Sequence, residues 1–147
     1  MSFEGATELS LDAKFRLTVP ARHRDALSAG GGIVVTLHPQ GCLLLYPKLI
    51  WEPMKTELMA LGGMDPSARD WQLLMVGHAD TQEVDGAGRI LVNPVLRRRA
   101  GLESKVVFIG QGHRCEIWEP GRWEDKVSAA AETAAKGPPP GASNFRL

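Results

Sequence analysis

The chain has 147 residues, 44% hydrophobic and 23% charged, an ordinary globular composition for one domain or two very small ones. Its 17 basic and 17 acidic side chains cancel, which excludes a uniformly polycationic surface, and no run approaches the roughly 18 apolar residues of a membrane-spanning helix. Cys42 and Cys115 lie in apolar runs without zinc-like spacing, so buried reduced thiols are expected in place of a disulfide framework or a metal centre.

The opening "MSFEGATELS" has neither a basic start nor an apolar stretch, so a cytoplasmic protein is expected. Its alternating run "ATELSL" predicts a strand, leading to a turn at "DAKF" (Asp12 to Phe15) and an apolar strand "RLTV". Pro20 then sets φ for the first turn of a short helix, "PARHRDAL". In "IVVTLHPQGCLLLYP" two Val, Ile and Leu-rich strands flank a turn at "HPQG". Apolar residues at helical spacing predict helices over Pro47 to Gly62 and Asp65 to Ala79, the first bent or restarted at Pro53. The pattern then begins again: "DTQEV", a turn at "DGAG", "RILV", a short helix "PVLRRRAG", and a hairpin turning at "GQGH". A helix over "GRWEDKVSAAAETAAK" follows, and the final "GPPPGASNFRL" has too much Pro and Gly to pack.

Both halves therefore read β-β-α-β-β, with an offset of 73 that lays Asp12 on Asp85, Arg16 on Arg89 and Cys42 on Cys115. To bring Pro20 onto Pro94 the alignment needs one inserted residue, Asn93. Halves of about 70 residues sit near the size at which a lone core is marginal, so they are expected to share a core or to oligomerise. Charge follows the repeat. Asp12 to Asp25 and Asp85 to Arg99 hold eight Lys or Arg against three Asp, leaving nine against fourteen acids elsewhere. Such polarisation attracts phosphate locally while net charge stays at zero.

Two Asp-x-x-x-Arg turns, each followed by an apolar strand, Pro and a basic short helix, resemble the MraZ family, bacterial transcriptional regulators built from tandem AbrB/SpoVT-type modules. The resemblance covers roughly residues 1–136. It implies an α+β, β-rich fold in which two pseudo-repeated β-β-α-β-β swapped-hairpin halves share one barrel, with flanking helices. The division expected is a first module with its following helix over 1–63, a linking helix over 64–79, a second module with a C-terminal helix over 80–136, and a disordered tail over 137–147. The function implied is a non-enzymatic, sequence-specific regulator that assembles into rings, associates with the nucleoid and binds repeated promoter boxes of a cell-division and cell-wall operon. A protein-interaction or antitoxin-like module of the same fold is the alternative.

The residues that would contact DNA are Arg16 and Arg89 by resemblance, with Lys14, Arg22, Arg24, Arg97 and Arg98 as neighbouring cations. A guanidinium fork addresses guanine O6 and N7 bidentately, and cations near it bind phosphate. Taken without the repeat, Arg16 and Arg89 would be exposed ion pairs to Asp12 and Asp85 that contribute little. Asp12, Asp85, Gly86 and Gly88 are expected to shape the turns. The family pattern has Gly before the arginine, as in "DGAGR", whereas the first copy has Phe15, which would be strained if that position needs φ > 0. No cofactor or small-molecule site is expected, the four histidines are read as surface residues, and the four tryptophans as packing residues. "DGAGR" is followed by a strand and is no nucleotide-binding helix start.

Overall fold

The computed structural model describes residues 2–142, so the expected tail lies outside the described residues from position 143 onward. The first repeat comprises β1 (Phe3–Ser10), β2 (Arg16–Thr18), α1 (Ala21–Leu27), β3 (Ile33–Leu37) and β4 (Leu43–Pro47). Helices α2 (Lys48–Met59) and α3 (Pro66–Met75) intervene. The second repeat comprises β5 (Asp80–Gln82), β6 (Arg89–Leu91), α4 (Pro94–Arg99), β7 (Lys105–Gly112) and β8 (Arg114–Trp118), and α5 (Pro120–Ala134) follows. Both halves have the β-β-α-β-β order read from the sequence.

The strands entering and leaving each Asp-x-x-x-Arg turn part company after it. β1 pairs with β7, β5 with β3, and β2 with β6, so each arm of the turn is completed by the opposite repeat. The result is an antiparallel sheet in the order β1-β7-β8-β4-β3-β5 with a separate two-stranded ribbon, β2-β6, packed across it. The ladder is not closed into a hydrogen-bonded barrel; the ribbon covers the sheet by side-chain packing. A pseudo-twofold passes through the β4-β8 and β2-β6 pairs, and in the ribbon Leu17 sits opposite Ile90, its own counterpart 73 residues on.

That register corrects the inserted residue inferred from the prolines. Pro20 and Asn93 are both N-cap residues, so the offset of 73 runs on through the short helices and Pro94 occupies the first helical position, where Ala21 stands in α1. Proline suits the first turn of a helix in either place, which is why aligning proline on proline misleads. Asn93 adds something Pro20 lacks: its side chain accepts the Leu96 N–H at 2.9 Å.

The halves bury each other, as their size requires. Leu17 and Ile90 of the ribbon, Val19 and Val92 just beyond it, and Leu27 and Leu96 of the short helices pack on Ile33, Val35, Leu45, Phe108 and Ile117. On the sheet's other face Val34, Leu44, Tyr46, Val107 and Trp118 lie under Trp51 of α2 and Met75 of α3. Because both faces are covered, β3 and β4 are buried at every position, which accounts for their continuous apolar runs. Fully burying a Leu or Ile side chain contributes roughly 1.5–3 kcal/mol, so these two layers dominate stability.

The flanking helices are where the sequence reading expects them, with one correction. α2 runs unbroken through Pro53, whose ring is exposed, so it costs one main-chain bond without restarting the helix. Cys42 and Cys115 are buried free thiols, each pushed up to about 12 by burial. Trp51 and Trp118 are buried and Trp123 packs on Trp118 with ring centroids 5.8 Å apart, while Trp71 is exposed. Glu116 is buried too. Its carboxylate accepts from Arg114 Nε and Nη2 at 2.9 and 2.7 Å and from the Trp118 indole at 2.8 Å.

Candidate nucleic-acid interface

Each Asp-x-x-x-Arg segment is a tight turn closed by its own backbone. In the first, the Asp12 N–H donates to the Arg16 carbonyl at 3.0 Å and the Phe15 N–H to the Asp12 carbonyl at 2.9 Å. In the second, Asp85 donates to Arg89 and Gly88 to Asp85, both at 2.9 Å. The aspartate side chain fills the loop: Oδ1 of Asp12 accepts the N–H of Lys14 and of Arg16, and Oδ1 of Asp85 that of Ala87 and of Arg89, all at 2.9 Å. Asp is suited to this because its short carboxylate reaches main-chain donors two residues on. The main-chain N–H of the arginine four residues on holds each carboxyl below its ordinary value, with the guanidinium adding to the effect.

The other carboxylate oxygen orients the arginine. Oδ2 of Asp12 accepts from Arg16 Nε at 2.7 Å, and Oδ2 of Asp85 from Arg89 Nε at 2.9 Å. Only Nε is used, so Nη1 and Nη2 of both guanidinium groups make no hydrogen bond among the described residues. The ion-pair and DNA-contact readings are thus compatible: the aspartate grips the near side of the fork and leaves the far side free. Both arginine side chains are about equally open, 30% and 31% exposed.

Pleating puts the two arginines on one face. Leu17 and Ile90 point into the core, so Arg16 and Thr18 of β2 and Arg89 and Leu91 of β6 point outward. Arg16 pairs with Leu91 and Arg89 with Thr18, which makes the two arginines diagonal neighbours, roughly 7–8 Å apart at the backbone. The Gln82 carboxamide braces one corner of the ribbon, donating to the Leu91 carbonyl at 2.9 Å and accepting its N–H at 2.7 Å.

The residue before each arginine has positive φ, 60° at Phe15 and 78° at Gly88, so the two turns share one shape despite their different residues. Phe15 is strained there. It is compensated by contact: its half-buried ring packs on the shared core, and the Arg97 guanidinium lies over it, 3.4 Å from the ring centroid. Across the pseudo-twofold, Arg24 presses on Gly88, where a Cβ would come within 2.4 Å of the guanidinium carbon. Arg24 Nη2 donates to the Val19 carbonyl at 2.8 Å, and its Nε is buried without a partner. Nothing in the residue pattern signals this exchange, in which each helix reaches the turn of the other repeat.

The remaining candidates are spread around this ribbon. Lys14 is exposed at the first turn's tip, and Arg98 and Arg99 are exposed on α4. Arg22 is exposed on α1 but leans over β1, its Nη2 donating to the Thr7 hydroxyl at 3.2 Å. Gly86 has no positive φ and its counterpart is Ala13, so glycine's freedom is used at Gly88 alone in that turn.

His23 corrects the surface reading of the histidines. It is buried at the position where α4 has Leu96, against Phe3 and Phe108, with Nε2 unpartnered. Burial lowers its affinity for a proton, the Arg22 charge helps, and Glu4 opposes. His38 and His78 are half-buried and His113 is exposed. Among the described residues no three His, Cys, Asp or Glu side chains converge as a metal site would require, and no helix is long and apolar enough to cross a membrane.

Comparison with known proteins agrees with this architecture. The family model described as "MraZ protein, putative antitoxin-like" matches twice in tandem, over residues 2–74 and 75–138. The chain is 50% identical over 127 residues to the "Transcriptional regulator MraZ" of Methylobacillus flagellatus, covering 85% of this chain and 86% of that one. It is 46% identical over 147 residues to the protein of the same name from Dechloromonas aromatica and 44% identical to that from Thiobacillus denitrificans, with 99% of each chain covered in both cases.

Proposed function

The chain belongs to the MraZ family, and on that premise we propose that it is a sequence-specific, DNA-binding transcriptional regulator. The observation that carries this reading is the ribbon. Two guanidinium groups on one outer face, each held at Nε and free at both Nη atoms, suit bidentate recognition of guanine or phosphate. Phosphate contacts from Lys14 and from the arginines of α1 and α4 would fix the register, while Arg16 and Arg89 would read base edges.

One ribbon makes few contacts, so the proposal includes assembly into a ring that engages repeated boxes upstream of a cell-division and cell-wall operon. Avidity then depends on box spacing. Supporting self-association, Leu49, Met59, Leu61, Met64, Trp71 and Leu73 are exposed on α2, α3 and the loop between them, apolar side chains of the kind an interface covers. The role is non-enzymatic, in the cytoplasm and at the nucleoid. The same surface would serve the alternative, an antitoxin-like interaction module, which needs no DNA contact from the ribbon.

Fluorescence titration of promoter duplex against a scrambled duplex, at two salt concentrations, separates the two. The expected outcome is tighter binding to the promoter with a steep salt dependence. Replacing Arg16 and Arg89 together by Ala should erase the preference for promoter over scrambled DNA while the oligomer, read by analytical ultracentrifugation, is unchanged. Equal affinity of the wild-type protein for both duplexes, with a shallow salt slope, would sink the reading.

A further inference from the structure

We propose that the two ends of the ribbon do not share duplex DNA equally, and that phosphate binding is concentrated where the Asp12–Arg16 turn meets α4. The proposal deepens the DNA-binding reading and rests on it. In the sequence the eight cations are split evenly, Lys14, Arg16, Arg22 and Arg24 in the first repeat and Arg89, Arg97, Arg98 and Arg99 in the second. The fold redistributes them. Because β2 pairs with β6, α4 is carried to the first turn and α1 to the second: the Val92 N–H bonds the Phe15 carbonyl at 3.0 Å and the Val19 N–H the Gly88 carbonyl at 2.9 Å.

The end built from the first turn and α4 thereby gathers Lys14, Arg16, Arg97, Arg98 and Arg99 against Asp12 and against Asp80, whose carboxylate accepts from the Asn93 side chain at the start of α4 at 3.3 Å. The other end gathers Arg89, Arg22 and Arg24 against Asp85 and Asp25, the latter standing where α4 has Arg98. The state of the donors widens the gap. Arg97 rests on the face of Phe15 and makes no hydrogen bond among the described residues, so the ring supports the guanidinium while its N–H fork stays free. Lys14, Arg98 and Arg99 are exposed. At the other end Arg24 is tied to the Val19 carbonyl and wedged on Gly88, Arg22 is drawn to Thr7 on β1, and the turn tip carries Ala87 in place of lysine. Phosphate needs cations with free donors, and these are found mainly at one end.

A comparison of two double variants tests this, with fluorescence titration on the promoter duplex over a range of salt. Lys14→Ala with Arg98→Ala removes two exposed cations at the first end. Arg22→Ala with Arg24→Ala removes two at the second. Abolishing one phosphate contact lowers the slope of log affinity against log salt by about 0.9. The first pair is expected to show a decrease close to two such increments, and the second pair less than one. Equal decreases, or a larger one in the second pair, overturn the inference while leaving the DNA-binding reading intact. A wild-type slope near zero overturns both. Arg24 is packed, so its pair is checked for folding by circular dichroism; should it not fold, Arg22→Ala alone serves, expected to leave the slope unchanged, and a decrease of a full increment there overturns the inference.

Discussion

The two Asp-x-x-x-Arg turns follow the same backbone path with different side chains, and the difference shows what each shape depends on. Main-chain bonds and the aspartate cap are common to both. What differs is the left-handed residue and the arginine above it. Gly88 lets Arg24 come down onto the backbone and commit a donor to Val19, whereas Phe15 holds Arg97 off on an aromatic face. The same fold position therefore makes one arginine a packing residue and leaves the other open to a ligand. Of the two residues in this contact only the turn residue differs between the repeats, Phe15 against Gly88; the helical arginine is the same in both, Arg97 and Arg24, and it is placed differently because of what it meets.

Exchanging the residues tests whether the turns are interchangeable, and the largest effect is expected from Gly88→Phe. A Cβ at this position would lie 2.4 Å from the Arg24 guanidinium carbon, and φ there is 78°. Strain and overpacking together should cost about 2–5 kcal/mol, read as a lower urea midpoint at unchanged m-value. An unaffected midpoint would mean that Arg24 moves aside freely and that its packing role is slight.

A second exchange concerns the inner faces of the short helices. His23→Leu installs the residue that α4 has at Leu96 and removes a buried Nε2 that has no partner. Stability at neutral pH should rise by about 1 kcal/mol, the low end of the cost of an unsatisfied buried polar atom. The pH dependence carries the sign. Burial depresses the folded-state value below the ordinary value of about 6.5, so the neutral imidazole's contribution is complete above that pH and lost as pH falls through the folded value. Thermal melts from about pH 7.5 down to about pH 5, the range in which histidine titrates, should show a decline in the parent protein that is shallower in the variant. Parallel declines would assign the acid sensitivity to other groups.

The sequence is informative where one residue type has one use. The repeat, the strand and helix order, the Asp-capped turns and the buried thiols can all be read because period, proline and cysteine environment report locally. The swap comes from the family resemblance and not from period or propensity, because pairing β2 with β6 or with β1 makes the same demand on a strand of three residues. The resemblance gives the swap without its side-chain contacts, so the meeting of Arg97 with Phe15 and of Arg24 with Gly88 is not legible. His23 is misread for a related reason: in "RHR" it looks solvated, and only its helical phase, matching Leu96 once the offset of 73 is kept, places it inward. Keeping that offset through the prolines is the signal that would have found it.

The smallest change in stability is expected from the reverse exchange, Phe15→Gly, and it is the most diagnostic for DNA. Removing a non-glycine residue from φ 60° relieves about 1–2 kcal/mol. Against this stand the loss of the cation–π interaction with Arg97, about 0.5–1 kcal/mol, and the entropy of a new glycine, about as much again. These costs already offset the relief, and the half-buried ring's packing on the core is removed as well, so a small net loss is left and the urea midpoint should fall slightly. Binding should move: without its platform Arg97 is free to settle on the first turn as Arg24 does on the second, and the salt slope should fall by up to about 0.9, the increment of a single phosphate contact. If Phe15→Gly leaves both stability and slope untouched, Arg97 does not need the ring in order to be presented, and the asymmetry of the ribbon rests on the number of cations at its two ends and not on how they are held.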